Sequence, residues 1–500
     1  MLKEIKQTAK HSVVYAIGNF GIKFVGFLLI PFYTNPTLLS INDYGALAVL
    51  EATLAVLVGV LSLSMESSFS RWFWDKKFVN EQKSLFFTTL SFLLLILVPA
   101  TISLSYFSVE LSTLIFSNTS YSFLLKLTIF TAAFQVTNNL TLWLLRLKSK
   151  STFFVSIQIF KLFSLLILII WGLKYKGLGL LAICQASLIV EVVTFLVLIP
   201  TIIKNTQLKI QLDVLKNMIS YSFPLMLASL SGVLLSFADR YMLNSMEGLD
   251  RTAIYSVGSR IANTLKILVT MSLSLALLPM QMKKIDEAGN ERFFAKIFKY
   301  SSFLFSVSLL ALSLFSLEVL KVLAGSSIYW EANGVVCIIS FALLFNQLKN
   351  DAMMGLIVKK RTKIVGLLVL LASIINIGLN FMLIPIWDIY GASLAMLLSQ
   401  ITFFMMVYYT AQKAYFIPFE LRNTLVLIVV LAIFVSIGLL VSDLNIGLRL
   451  LIKLILLILF PFVLLLMNYY TKTEIEAATL VFNTWRKPGN LKENIMRFFK

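Results

Sequence analysis

The chain has 500 residues, of which 59% are hydrophobic and only 13% charged, and its mean hydropathy is +0.89. A soluble globular domain carries about 25% charged residues, so a soluble enzyme is excluded, as is a disordered chain. The formal net charge of +19 invites a nucleic-acid reading. The basic residues fall between apolar runs, however, as in a membrane protein with lysine-rich loops on one side, and no nucleic-acid partner is expected.

The single histidine, His11, lies in the N-terminal segment, and Cys184 and Cys337 sit far apart inside apolar segments. Histidine acid–base chemistry, histidine metal sites and a disulfide framework are thereby set aside.

At about 20 apolar residues per crossing, the chain reads as about fourteen transmembrane helices. In chain order they cover 13–33, 44–65, 85–107, 121–145, 153–173, 178–199, 218–243, 253–280, 297–317, 334–358, 364–386, 390–410, 421–441 and 448–469. The first is too long for a cleavable signal peptide and holds Asn19 and Lys23. Thirty of the 43 Lys and Arg residues fall on one side of these spans. Six fall on the other: Lys174, Lys176, Arg240, Arg251, Lys321 and Arg449. That bias predicts both termini in the cytoplasm. The connecting loops are short, which leaves no room for a soluble domain. The basic tail carries Trp485, Phe498 and Phe499 and reads either as an interfacial amphipathic helix or as a frayed end.

An internal repeat is visible. Phe134, Gln135 and Asn139 match Phe345, Asn346 and Asn350 at an offset of 211, and Lys148 and Lys150 match Lys359 and Arg361 at the same offset. After a three-residue shift, 170–182 parallels 384–396, with Gly177 opposite Gly391. An even number of helices separates the equivalents, so the repeat is parallel. The expected architecture is an all-α integral membrane protein. Two pseudo-symmetric six-helix lobes, 1–203 and 204–415, surround a central cavity; two helices follow in 416–471, then a cytoplasmic tail, 472–500.

A charge at mid-bilayer costs about 2.5–3.5 kcal/mol on insertion scales. The spans nevertheless hold Lys23, Lys126, Lys161, Arg260, Lys266, Lys349 and Lys453, with Glu51, Glu66, Glu191, Asp239 and Asp351. Such groups line a wet cavity, pair, or reach out from a helix end. Tyr15, Asn19 and Lys23 form one stripe of the first helix, and Arg260, Asn263 and Lys266 step by three along the eighth. Cations such as Lys23, Arg260 and Lys266 can compensate an anion crossing the membrane, Arg by a planar fork and Lys by a point charge. The competing reading pairs Lys23 or Lys266 with Glu51.

Asp351, Glu66 and Asp239 are candidates for proton or sodium coupling, with no other cofactor and no metal expected. Each has a plainer reading. Asp239 would pair with Arg240, and Glu66 would face water or meet Arg71. Asp351 would join Asn346, Gln347, Lys349 and Asn350 as glue between helices. Lys126 and Lys161 would snorkel or pair with Glu191, and Lys453 would pair within the last two helices.

Three stretches carry a resemblance: NIGLNFMLIPIWDIYGASLAMLLS at 376–399, FADRYML at 237–243 and AIYSVGSRIAN at 253–263. With them, nearly the whole chain resembles the Wzx-type O-antigen or repeat-unit flippases of the multidrug/oligosaccharidyl-lipid/polysaccharide (MOP) exporter superfamily. The resemblance implies a cavity lined by helices one, two, seven and eight, whose cations contact the pyrophosphate and sugars of a lipid-linked oligosaccharide, and on this chain it makes Lys23, Arg260 and Lys266, with Asn19 and Asn263, the candidate substrate-binding set. It further implies alternating access in the bacterial inner membrane, with membrane lipids and other polysaccharide-assembly proteins as partners. Two relatives of the same superfamily stay open as readings, a multidrug antiporter and the lipid II flippase. Glu51 lies where the latter has a basic residue. A membrane glycosyltransferase, polymerase or ligase fits less well, since the chain has neither a long outer loop nor a DxD motif; no enzyme is expected.

Overall fold

The computed structural model describes residues 25–476 and 479. His11, Asn19, Lys23 and nearly all of the basic tail lie outside the described residues. Every regular element among those described is a helix. In chain order they are α1 (Ile30–Tyr33), α2 (Ile41–Leu61), α3 (Met65–Phe73), α4 (Gln82–Tyr106), α5 (Ser108–Phe116), α6 (Ser122–Leu147), α7 (Ser151–Lys174), α8 (Leu180–Asn205) and α9 (Leu212–Met246). Then follow α10 (Leu249–Leu265), α11 (Met271–Lys283), α12 (Asn290–Leu314), α13 (Ser316–Leu323), α14 (Ala332–Ala352), α15 (Met354–Val358), α16 (Thr362–Ala414), α17 (Leu421–Leu440) and α18 (Ile446–Leu466).

Eleven helical stretches among the described residues are long and apolar enough to cross a bilayer. One of them spans α16, which joins the two spans expected at 364–386 and 390–410. Its backbone leaves helical geometry at Asp388, with φ 52° and ψ −126°, so two crossings meet there in a sharp turn. Gly391 makes that turn feasible, because a Cβ there would sit 2.1 Å from the Leu383 carbonyl oxygen. The 26-residue α6 is not among the eleven, since Gln135, Asn138 and Asn139 lower its hydropathy. Span ends are set by local chemistry. At the start of α2 the Ser40 hydroxyl accepts from the Asp43 amide at 3.1 Å, and Asp43 itself favours the positive helix end. At its far end Leu63 and Ser64 adopt positive φ and break the chain into α3.

The repeat reappears in the backbone. The Lys150 amide donates to Leu145, the Ser149 amide to Arg146 and the Lys148 amide to Leu144, at 2.9, 2.9 and 3.0 Å. Arg361, Lys360 and Lys359 donate to Leu356, Ile357 and Gly355 at 2.9, 2.9 and 3.4 Å, every partner displaced by 211. Ser149 and Lys360 both take φ 56°, and at the same offset Gly177 and Asp388 take φ 60° and 52°. Each half thus closes the same helix with the same left-handed cap, which ties off carbonyls that the helix end would leave unbonded. Packing repeats too: α6 rests on α2, α4 and α8, and α14 on α10, α12 and α16.

The halves meet along α2, α9 and α10, with α9 also lying against α16. The closest approach is at the face that carries few basic residues, where a Cβ on Gly45 of α2 would lie 1.9 Å from the Leu249 carbonyl oxygen of α10. At that face the Gly325 amide donates to Thr34 Oγ1 at 2.9 Å and the Asn244 amide group to the Ile115 carbonyl at 2.7 Å. Towards the basic face the Ser68 hydroxyl of α3 donates to the Met218 carbonyl of α9 at 2.8 Å. There the second half of the eighth span, reached through a π-helical turn at Lys266–Thr270, exposes Leu268, Leu275, Leu278 and Met280.

The last two helices are riveted to the body. Lys453 does not pair within α17 and α18, as the sequence suggested, but reaches Glu318 of α13 at 2.8 Å, and Arg449 reaches the same carboxylate at 2.7 Å. The short α13 beyond the ninth span is what brings Glu318 there. Burial alone would raise the Glu318 carboxyl, but the Lys453 ammonium and the Arg449 guanidinium hold it below the usual carboxylate range. Its contribution to stability is therefore complete at neutral pH and fades as pH falls through and below that range.

Gly391→Ala should open the Asp388 turn and cost about 1–3 kcal/mol by overpacking. Gly378→Ala, whose Cβ meets nothing within 4 Å, should be neutral. Thermal unfolding of the purified variants in detergent checks both, and equal stability would show that the close approach relaxes without cost.

Candidate functional site

Between the halves lies a cavity of about 350 Å³. Its wall comes from Val25, Gly26, Leu29 and Tyr33 of the first span, Leu47 and Glu51 of α2, and Leu165 and Ile169 of α7. Ile183 and Ser187 of α8, Phe237 and Arg240 of α9, and Arg260 and Asn263 of α10 complete it. The fifth and sixth spans thus contribute alongside the first, second, seventh and eighth. The wall mixes apolar side chains with Glu51, Ser187, Arg240, Arg260 and Asn263, and its partly buried charges are screened less than they would be in bulk water.

Arg260 sits at the centre of the polar part. One guanidinium nitrogen donates to both Glu51 carboxylate oxygens, at 2.8 and 3.0 Å, and another to the Gly26 carbonyl at 3.3 Å. The rings of Tyr33 and Tyr44 lie 5.5 and 5.7 Å from the guanidinium carbon, so their faces share in holding the cation. The Arg260 side chain is 15% exposed and Glu51 38%, which leaves the carboxylate the more accessible partner. This ion pair joins α2 of one half to α10 of the other. Glu51 therefore pairs with Arg260, and Lys23 lies outside the described residues. Asn263, one turn on, donates to the Ser259 carbonyl at 2.7 Å and also faces the cavity. Lys266 does not line it: it is exposed at the start of the π-helical turn, nearer the basic face.

From sequence Arg240 counts among the cations of the sparse side, at the outer end of the span 218–243. Helix α9 continues to Met246, and Arg240 is 9% exposed and in the cavity wall. Its neighbour Asp239 is likewise buried. The Asp239 carboxylate accepts from the Arg240 backbone amide at 2.9 Å and from the Tyr255 hydroxyl, and no ion pair to the Arg240 guanidinium forms. The expected local pair is thus a backbone bond, because successive helical side chains diverge by about 100°.

The other coupling candidates stand apart from the cavity. Asp351 accepts from the Ser301 hydroxyl at 2.5 Å and from Gln347 at 3.0 Å, while Asn346 reaches across to Gln400 at 3.4 Å. That cluster links α14 to α12 and α16. Glu66, at the start of α3, makes no ion pair with Arg71, whose guanidinium instead lies over the rings of Tyr221 and Trp72 at 4.4 and 5.2 Å. Away from the cavity, Lys161 of α7 meets Glu191 of α8 at 2.6 Å, and Asn138 of α6 donates to the same carboxylate at 2.8 Å. This triad holds three helices of one half together.

The helical bundle, with its partly charged cavity between two repeated halves, is similar in fold to solved transporters of the MOP superfamily. A structure titled "Lipid II flippase MurJ, inward closed conformation" superposes with a TM-score of 0.74 at 16% identity, covering 90% of this chain and 98% of that one. A multidrug resistance transporter of the MATE family and MOP superfamily, in an inward-facing conformation, gives 0.64 at 14% identity over 80% of this chain and 97% of the other. An outward-facing MATE-family structure gives 0.57 at 13% identity over 81% and 95%. No curated protein matches the sequence. The family described as "Polysaccharide biosynthesis protein" matches residues 8–284, more than half of the chain. The chain belongs to that family.

The Lys161–Glu191 pair should prove structural. Glu191→Ala strands a buried ammonium and should cost about 3 kcal/mol, whereas Lys161→Met combined with Glu191→Leu should recover most of the loss. Unfolding measurements on the three variants decide it, and a double variant as unstable as the single one would argue against a purely structural pair.

Proposed function

We propose that this protein is a Wzx-type flippase, a secondary transporter that carries undecaprenyl-pyrophosphate-linked oligosaccharide repeat units from the cytoplasmic to the outer face of a bacterial inner membrane. The observation that carries the reading is the charge of the cavity: two arginines, Arg240 and Arg260, against one carboxylate, Glu51. A chamber with a surplus guanidinium attracts an anionic head group and repels a cation. That disfavours a multidrug antiporter, and membership of a polysaccharide biosynthesis family supports a glycan cargo. A lipid II flippase is the second reading, supported by the fold likeness to MurJ.

In this mechanism the head group occupies the cavity while the polyprenyl tail stays in the bilayer. The halves 1–203 and 204–415 rock about it, with 416–471 attached at one side and the tail 472–500 in the cytoplasm with the N-terminus. The arriving phosphate competes with Glu51 for Arg260. Because that pair bridges α2 and α10, releasing it loosens the contact between the halves and couples occupancy to rocking. Asn263 and Ser187 supply polar contacts to sugar hydroxyls, Lys266 meets the head group nearer the basic face, and Asn19 and Lys23 complete the binding set read from the sequence. A proton or sodium ion taken up at Asp351, Glu66 or Asp239 would drive the return. The cargo and the enzymes that build and polymerise it are the expected partners; the chain itself catalyses no covalent step.

In a strain lacking the gene, complete lipid-linked repeat units should collect on the cytoplasmic face and surface polymer should disappear. Arg260→Ala, present at wild-type level, should fail to restore export, because it removes one cation and strands Glu51 in the chamber. Normal sidedness in the deletion strain would sink the flippase reading, and full export by the variant would remove Arg260 from it.

A further inference from the structure

Among the described residues, the charged side chains at the cavity are hydrogen-bonded to a partner, with one exception. Arg260 is bound to Glu51 and to the Gly26 carbonyl. Asp239 is bound to the Tyr255 hydroxyl and the Arg240 backbone amide. Arg240 is nine-tenths buried, yet its Nε and Nη1 have no hydrogen-bond partner among the described residues, and its guanidinium rests only on the face of Phe237, 4.8 Å from the ring centre. The Tyr44 hydroxyl, fully buried close to Arg260, also lacks a partner there, and Tyr44 lies near enough to feel the charge of Arg240 as well. Buried donors are nearly always matched by acceptors. Of the two, Arg240 lines the chamber, and its unmatched donors mark where an acceptor-rich anion fits.

We propose that Arg240 is the primary docking point for the phosphate oxygens of the cargo's head group, and that Arg260 becomes available only when Glu51 is displaced. This rests on the reading of the cavity as the seat of an anionic head group. The order follows from competition. A phosphate meeting Arg260 must first replace a carboxylate already bonded at 2.8 Å, whereas one meeting Arg240 displaces no carboxylate. Glu51 then acts as a stand-in anion that keeps Arg260 compensated between transport events, and the free guanidinium selects for phosphate. A planar fork suits two phosphate oxygens, which a lysine at the same place does not reproduce.

The test uses the full chain in phosphatidylcholine nanodiscs, with binding read by native mass spectrometry and thermal shift. The probes are undecaprenyl pyrophosphate, phosphatidylglycerol and inorganic pyrophosphate. Wild type should bind undecaprenyl pyrophosphate most tightly, Arg240→Gln at least about ten-fold more weakly, which is the loss of one charge-assisted contact. Glu51→Gln should bind at least as tightly as wild type, because it frees Arg260. Arg240→Lys serves if the Gln variant does not fold. A buried lysine loses its proton more easily than arginine, so its binding should weaken between about pH 8 and pH 10 while wild type stays level. Undiminished binding by Arg240→Gln, or a level profile for Arg240→Lys, overturns the assignment of Arg240 and leaves the anionic-cargo reading standing. Failure of wild type to bind undecaprenyl pyrophosphate overturns both. Equal competition by phosphatidylglycerol or inorganic pyrophosphate overturns the assignment to the cargo in favour of a general phosphate site.

Discussion

A guanidinium inside an apolar slab must find a counter-charge, and Arg260 finds Glu51 across the boundary between the two halves of the molecule. The bond is short, partly shielded from water and framed by Tyr33 and Tyr44. Breaking it without a replacement would leave two opposite charges in a medium that solvates neither well. The contact of α2 with α10 therefore depends on what else is present to satisfy the pair. A ligand that brings its own negative charge alters that balance, and one without charge does not. The constraint that stabilises the bundle is thus the same one that makes it responsive to an anion.

Elsewhere the same rule gives purely structural results. Lys161 with Glu191, and Lys453 and Arg449 with Glu318, each bind elements that apolar packing alone would hold only loosely, since lipid competes equally well for leucine. The polar cluster around Asp351 plays a similar part among α12, α14 and α16. None of these clusters lines the cavity. Arg240 differs from their cations in lining the chamber with no carboxylate hydrogen-bonded to its guanidinium.

The repeated halves explain how one chamber is built. The caps after α6 and after α15 share hydrogen bonds and left-handed residues at one constant offset. Equivalent helices therefore leave the basic face at equivalent angles. Two such units facing one another leave a space between them, and its contents are set by whichever residues have diverged on the facing helices. Glu51, Arg240 and Arg260 are those residues here.

The sequence by itself determined the membrane class, the positions of most spans, the repeat and the polar stripe holding Arg260 and Asn263, because hydropathy and helical spacing are local properties. Lys161 and Glu191 were legible as a pair for the same reason, being the charged residues of consecutive spans. Only the tertiary structure decided who pairs with whom across longer distances. Glu51 answers Arg260, and Glu318 answers Lys453 because the short α13 lies outside any apolar run. Arg240 moved from the outer helix end to the cavity wall because hydropathy locates the middle of a helix better than its end, and α9 runs on to Met246. Which side of a helix faces a partner, and at what depth, is set by packing between helices, and that information is spread over residues far apart in the chain.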